Sequence, residues 1–128
     1  EALHGWVLDG QYSEWMSWSE VLPNGGIGGN RVFLNDVLAE SLADGQTHHP
    51  LGATAVREQY GEDLETLVGW AVATRISADD TSAEAWLWFE VFSTDPDAEP
   101  AVAKPAAPGC VGCHGNATDF IHSTLPLP

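Results

Sequence analysis

Cys110-Val111-Gly112-Cys113-His114 is the stretch whose residue types and spacing carry chemistry. Two thiols three positions apart fit on one helical turn, where they can add to the two vinyl groups of a haem. The imidazole that follows is placed to reach the iron as proximal ligand. These are the chain's two cysteines, so nothing else competes for them. A local disulfide, a redox Cys-x-x-Cys and half of a zinc site are the other uses of such a pair. A redox pair should follow a strand in a βαβ unit, whereas a Pro/Ala-rich stretch precedes this one. A zinc site needs two more ligands at motif spacing, and none is evident. The motif is read as the attachment site of one covalent haem c, with Cys110 and Cys113 on the porphyrin and His114 on the iron.

The second axial position decides what such a haem does. Electron-transfer cytochromes mostly use Met or His there. Met16, the one methionine, lies in an apolar stripe and reads as core filler. His48 and His49, adjacent in a polar turn, read as exposed. His122 sits on a tail tied to the proximal side, badly placed for the opposite face, and nothing singles out His4. The reading is a five-coordinate iron with an open distal face, which favours binding or chemistry of a small ligand over simple electron transfer.

The elements that must position this motif are mostly strands. Residues 1–10 look loose, and Gln11–Glu20 places Tyr12, Trp15 and Met16 on one face of a short amphipathic helix. Asn24–Asn30 is a glycine-rich connection; it opens a strand and lacks the Lys-Ser/Thr ending of a phosphate loop. Arg31–Asn35 reads as a strand. Asn35 or Asp36 then caps a helix through Val37, Leu38 and Leu42, with Gly45 past its end. After a turn at 46–52 come three strands, Ala53–Tyr60, Leu67–Ile76 and Ala85–Phe92, whose short connections predict an antiparallel meander. Ser93–Gly109 holds Pro96, Pro100, Pro105 and Pro108 and reads as a stiff linker, not a strand. The fold class expected is α+β, mainly β: one domain over 1–128 with short flanking helices and a C-terminal haem-binding turn.

Composition narrows the partners. A chain of 128 residues is one domain. Its net charge is −15, with Arg31, Arg57, Arg75 and Lys104 as the basic residues. Nucleic acid and anionic membranes are poor partners for such a surface; a solvated acidic surface, such as a high-salt habitat selects, is the preferred reading, and a basic redox partner protein is the alternative. No apolar run is long enough to span a membrane, so no membrane insertion is expected. Covalent haem attachment takes place outside the cytoplasm; the expectation is a periplasmic or otherwise exported protein whose signal peptide was removed before Glu1.

A haem motif near the C-terminus also occurs in the four-helix-bundle cytochromes c′, but strands in mid-chain fit a helix bundle poorly. A more specific pattern runs along most of the chain. It comprises Tyr12-Ser13-Glu14-Trp15, then Arg31-Val32-Phe33-Leu34-Asn35-Asp36, then the Pro50–Gly52 turn leading into Ala55-Val56-Arg57-Glu58. Ala85-Trp86-Leu87-Trp88-Phe89 follows, then Cys110–His114 with Thr118-Asp119-Phe120 and a terminal Leu-Pro. In this order the features resemble the cytochrome P-460 family, which includes the cytochromes c′-beta: β-rich, usually dimeric, mono-haem c-type proteins. The resemblance implies a homodimer that binds diatomic or nitrogen-oxide ligands such as nitric oxide.

One departure matters. True cytochromes P-460 cross-link a lysine in a Val-Lys-Glu strand motif to the macrocycle, and their hydroxylamine oxidation depends on it. The matching residue here is Arg57, so no lysine–haem cross-link is expected. Arg57 could pair with a haem propionate or a nearby carboxylate, or donate a hydrogen bond to a ligand on the distal side. Phe33 is the candidate aromatic cap over the distal face, as in the c′-beta branch, or else a core residue. Trp86 and Trp88 pack the core or the haem wall. Glu90, on their strand face, is either a pocket proton acceptor or an exposed strand-end acid. Two alternatives stay open: a haem oxidoreductase acting on hydroxylamine, nitric oxide or peroxide, with Arg57 and Glu90 catalytic; and an electron-transfer cytochrome.

Overall fold

The computed structural model describes residues 2–23, 28–79, 82–115, 117, 119–123 and 125–128, and of Ala2 and Cys113 the backbone only. The expected glycine-rich connection at 24–27 and the motif residue Thr118 lie outside the described residues.

An antiparallel sheet organises the chain, as the meander pattern predicts. Its strands are β1 (Met16–Ser17), β2 (Leu22–Pro23), β3 (Gly29–Leu34), β4 (Thr54–Tyr60), β5 (Leu67–Arg75), β6 (Trp86–Val91) and β7 (Val102–Pro105). The order is β1-β3-β4-β5-β6-β7, with β2 also pairing β3. Helices α1 (Ala2–Leu8), α2 (Asp36–Ala43) and α3 (Pro108–His114) flank it.

Register sorts side chains between the two faces, because directly paired residues point the same way and neighbours alternate. Phe33, Val56, Val72 and Phe89 form one cross-sheet row, and Val32, Arg57, Ala71 and Glu90 form the next, on the other face. The first row is large and apolar and packs with Val7, Tyr12 and Trp70 under α1. The second face carries a core of Leu34, Leu38, Trp86 and Trp88 at one end and shorter side chains towards the middle.

Four expectations are corrected. The N-terminal residues are helical, because Val7 is buried against the sheet and that packing outweighs the weak helical tendency of a segment containing Gly5. Gln11–Glu20 is a series of turns ending in β1. Tyr12 is pulled inward by hydrogen bonds, its hydroxyl donating to Glu58 Oε2 (2.7 Å) and accepting from Trp70 Nε1 (2.7 Å). Met16 is an edge-strand residue, 48% exposed, and not core filler. The 93–109 segment contributes β7, an edge strand, where Pro105 is tolerated at the end of the ladder.

The capping expectation holds. Asn35 Oδ1 accepts from Leu38 N (3.0 Å) and from Thr54 N (3.1 Å), while its amide donates to Gly52 O (2.8 Å). One side chain thus starts α2 and ties it to β4. Asn35→Ala should cost about 2 kcal/mol, more than a cap alone, measured by urea denaturation.

Candidate functional site

On the short-chained face lies a cavity of about 960 Å³, at the upper end of the range for cofactor sites, roughly 300–1,000 Å³. Its floor is Val32, Ala55, Ala71 and Ala73 from β3, β4 and β5, with Arg57, Glu90 and Trp88 at its margins. Cys110 and His114 enter from α3, and Ile121, His122, Ser123, Pro126, Leu127 and Pro128 of the tail, with Trp18, close the other side. The backbone bond from Ser19 N to Pro128 O (3.0 Å) holds the tail against the Trp18 turn.

His114 is tightly oriented. Its Nδ1 lies 2.8 Å from the carbonyl oxygen of Phe120. A carbonyl can only accept, so Nδ1 carries the proton and Nε2 keeps its lone pair, the tautomer that a metal ligand needs. The ring is flanked by Trp88 (centroids 4.8 Å) and His122 (4.9 Å). Burial lowers its pKa, which keeps the imidazole neutral and able to donate its lone pair.

Cys110 is half-buried, and burial, with Glu90 adding, raises its thiol pKa. Redox-active Cys-x-x-Cys thiols show the opposite shift. The side chain of Cys113 lies outside what is described. Among the described residues no three His, Cys, Asp or Glu side chains gather into a metal-holding group.

Arg57 and Glu90 come together in the cavity. Arg57 Nη2 donates to Glu90 Oε2 at 3.2 Å, and Gln59 Nε2 donates to the same oxygen at 2.6 Å. Glu90 is therefore a cavity carboxylate, held by two donors, and not an exposed strand-end acid. Gln59 was not a sequence candidate; its signal is its place two residues from Arg57 on the same strand face. The register sets it opposite Gly69, where a Cβ would lie 2.2 Å from the Val91 carbonyl oxygen and 3.0 Å from Gln59 Oε1. The glycine is what lets the Val91 carbonyl approach this closely beside the Gln59 amide.

Two expected site residues lie elsewhere. Phe33 is on the opposite sheet face, edge-on to Tyr12 at 4.9 Å, so the distal-cap position is not where its side chain goes. Its alternation partner Val32 lines the cavity instead. Trp86 is fully buried in the core against Trp88 and does not line the cavity, while Trp88 does.

The residues fit a haem. A neutral histidine presents Nε2, a cysteine lines the same cavity, and an indole flanks the histidine. Trp88 Nε1 and Arg57 Nε are buried with no hydrogen-bond partner among the described residues; the indole is a donor for a carboxylate of an acidic, planar cofactor, and the guanidinium, already beside Glu90, is one for a small polar ligand. None of His4, His48, His49 or Met16 lines the cavity.

Asp119 anchors the segment that carries the Phe120 carbonyl. Its Oδ2 accepts from Arg75 Nη1 (2.5 Å) and from His49 N (2.6 Å), and its Oδ1 accepts from Trp86 Nε1 (3.3 Å). His49 is not exposed as the turn predicts but buried, 2% accessible, with Nδ1 2.7 Å from Ser41 Oγ. The Ser41 hydroxyl donates to Gln46 Oε1 (2.9 Å), so it accepts the proton on His49 Nδ1. The chain was compared with protein-family models and with curated proteins, and neither comparison finds a match.

Burial lowers the His49 pKa from its ordinary value of 6.5. Below that pH the unfolded chain takes up a proton that the fold refuses, so stability falls as the pH drops. His114, lowered likewise, adds to the slope whenever Nε2 is unligated. Denaturation midpoints between pH 7 and pH 5 should decline less in His49→Asn, by up to about 1.4 kcal/mol per pH unit for the one proton removed.

Proposed function

We propose that the chain is an exported, mono-haem c-type cytochrome domain whose open distal side binds small ligands such as nitric oxide. The observation that carries this reading is the placement of His114. Its Nδ1 is committed to the Phe120 carbonyl, which leaves Nε2 for a metal, beside a cavity that Cys110 also lines. When bound, haem supplies the iron that holds the small ligand. The chain's own residues attach it through Cys110 and Cys113, orient it through His114, and wall it with Trp88. Electron transfer is disfavoured because His122, the other histidine at the cavity, packs beside His114.

The Arg57–Glu90 pair bears on what the site accepts. A propionate at Arg57 would stand next to the Glu90 carboxylate, so like-charge repulsion favours directing the propionates elsewhere. That leaves a charged donor and an acceptor for a polar ligand. The same pair favours a second reading, an oxidoreductase in which Glu90 takes a proton from the substrate while Arg57 stabilises negative charge. The family resemblance further implies a homodimer, and the acidic surface is compatible with a basic redox partner protein.

Expression with c-type haem maturation should yield a mass equal to polypeptide plus one haem, and none in Cys110→Ser with Cys113→Ser. The reduced spectrum should change on adding carbon monoxide. A product with no haem, or a spectrum indifferent to carbon monoxide, would overturn the reading. A reduced band shifted far to the red would mean a modified macrocycle and would revive hydroxylamine oxidation.

Arg57→Leu should weaken binding of a ligand that accepts hydrogen bonds by about tenfold or more and leave carbon monoxide affinity nearly unchanged. Equal affinities in both proteins would remove Arg57 from the ligand site. Steady-state turnover of peroxide or hydroxylamine, lost in Glu90→Gln, would select the oxidoreductase.

A further inference from the structure

We propose that Asp119 is a positioning residue for His114: its carboxylate, drawn to Arg75, sets the backbone turn that aims the Phe120 carbonyl at Nδ1. The inference rests on the haem reading of His114.

Three elements converge on this carboxylate. Arg75 comes from the end of β5, Trp86 from the start of β6, and His49 N from the turn before β4. The side chains of Arg75 and Asp119 are 2% and 1% exposed. Asp119 and Phe120 both take left-handed backbone conformations, with φ of 46° and 65°. For a residue as bulky as Phe this is an outlier, and such outliers persist only where the surroundings over-determine them. Here the over-determination is visible: the carboxylate is clamped on one side, and Ile121, 5% exposed, is clamped in the core on the other. The carbonyl between those clamps is the one that lies 2.8 Å from His114 Nδ1.

Asp119 acts through Phe120. A histidine whose Nδ1–H is held by an acceptor is a more basic ligand through Nε2 and keeps its ring orientation. Such a ligand favours the oxidised over the reduced iron. Arg75, Trp86 and the His49 backbone are then part of the proximal environment, through one carboxylate.

The test uses the haem-loaded protein and two variants. Asp119→Asn keeps the size but removes the charge that holds Arg75; Trp86→Phe keeps an aromatic ring in the core, removes the longest of the three bonds and leaves those from Arg75 and His49 N in place. In both, haem attachment by mass should be unchanged. The iron–histidine stretching band of the reduced protein, read by resonance Raman, should move to lower frequency, and the midpoint potential should move positive, more in Asp119→Asn. Should Asp119→Asn fail to fold, Trp86→Phe carries the test. Haem-loaded variants whose band and potential both match the parent would overturn the proposal while leaving the haem reading intact. A parent protein that takes up no haem would overturn the haem reading and the proposal with it.

Discussion

One buried carboxylate holds the C-terminal segment to the sheet. An ion pair taken out of water gains little net stability, since desolvation consumes most of the attraction. Breaking one partner costs roughly 3–5 kcal/mol, because the survivor is left charged and buried. The value of Arg75–Asp119 is thus in location: only one placement of the segment puts the carboxylate against Arg75, Trp86 and the His49 amide together. That placement delivers the Phe120 carbonyl to His114. Without it, α3 has only the covering of its apolar residues to set where its histidine points.

The sheet supplies the other half of the geometry by being unequal on its two faces. Along the central strands, Phe33, Val56, Val72 and Phe89 fill one side, and Val32, Ala55, Ala71 and Ala73 leave room on the other. The period of two makes this separation unavoidable, so a shift of one residue would exchange a filled core for a cavity. Helix α1 seals the filled side; α3 and the tail enclose the open one. The gain from burying large side chains on one face and the space for a planar group on the other arise from the same alternation.

The central strands were legible because their apolar runs are bounded by turn residues, and the α2 cap was legible because Asn35 stands directly before the helical pattern. The ends were not. In Gln11–Glu20 the aromatic spacing fits a helix, yet Tyr12 is claimed by Glu58 and Trp70, distant in sequence, and local periodicity carries no sign of that. β7 was hidden by the prolines around it and by Pro105 at its end, a position an edge strand accommodates. The cysteines and His114 were legible from spacing alone. Glu90 and Arg57 could be placed on strands, but their meeting depends on the register of three strands, and Asp119 on contacts from three elements. The choice between cap and core for Phe33 was not legible, because a strand pattern says which residues share a face, not which face looks at the site; the core role is the one it takes.

The three arginines of this acidic chain are all committed. Arg31 donates to Trp18 O (2.9 Å) and Ser17 Oγ (3.2 Å) and lies over the Phe33 ring. Arg75 is taken by Asp119, and Arg57 by Glu90. Lys104 is exposed on the edge strand. Few cations therefore remain to offset the net charge of −15. The Arg57 side chain stays 40% accessible, against 2% for Arg75, and it lines the cavity. A guanidinium beside a single carboxylate uses a fraction of its five donors. The remaining donors, and the Glu90 oxygen that neither Arg57 nor Gln59 contacts, give that end of the cavity both polarities of hydrogen bond. An apolar pocket would sort small ligands by size alone; under the proposed haem reading, this cavity would sort them also by their ability to accept or give a hydrogen bond.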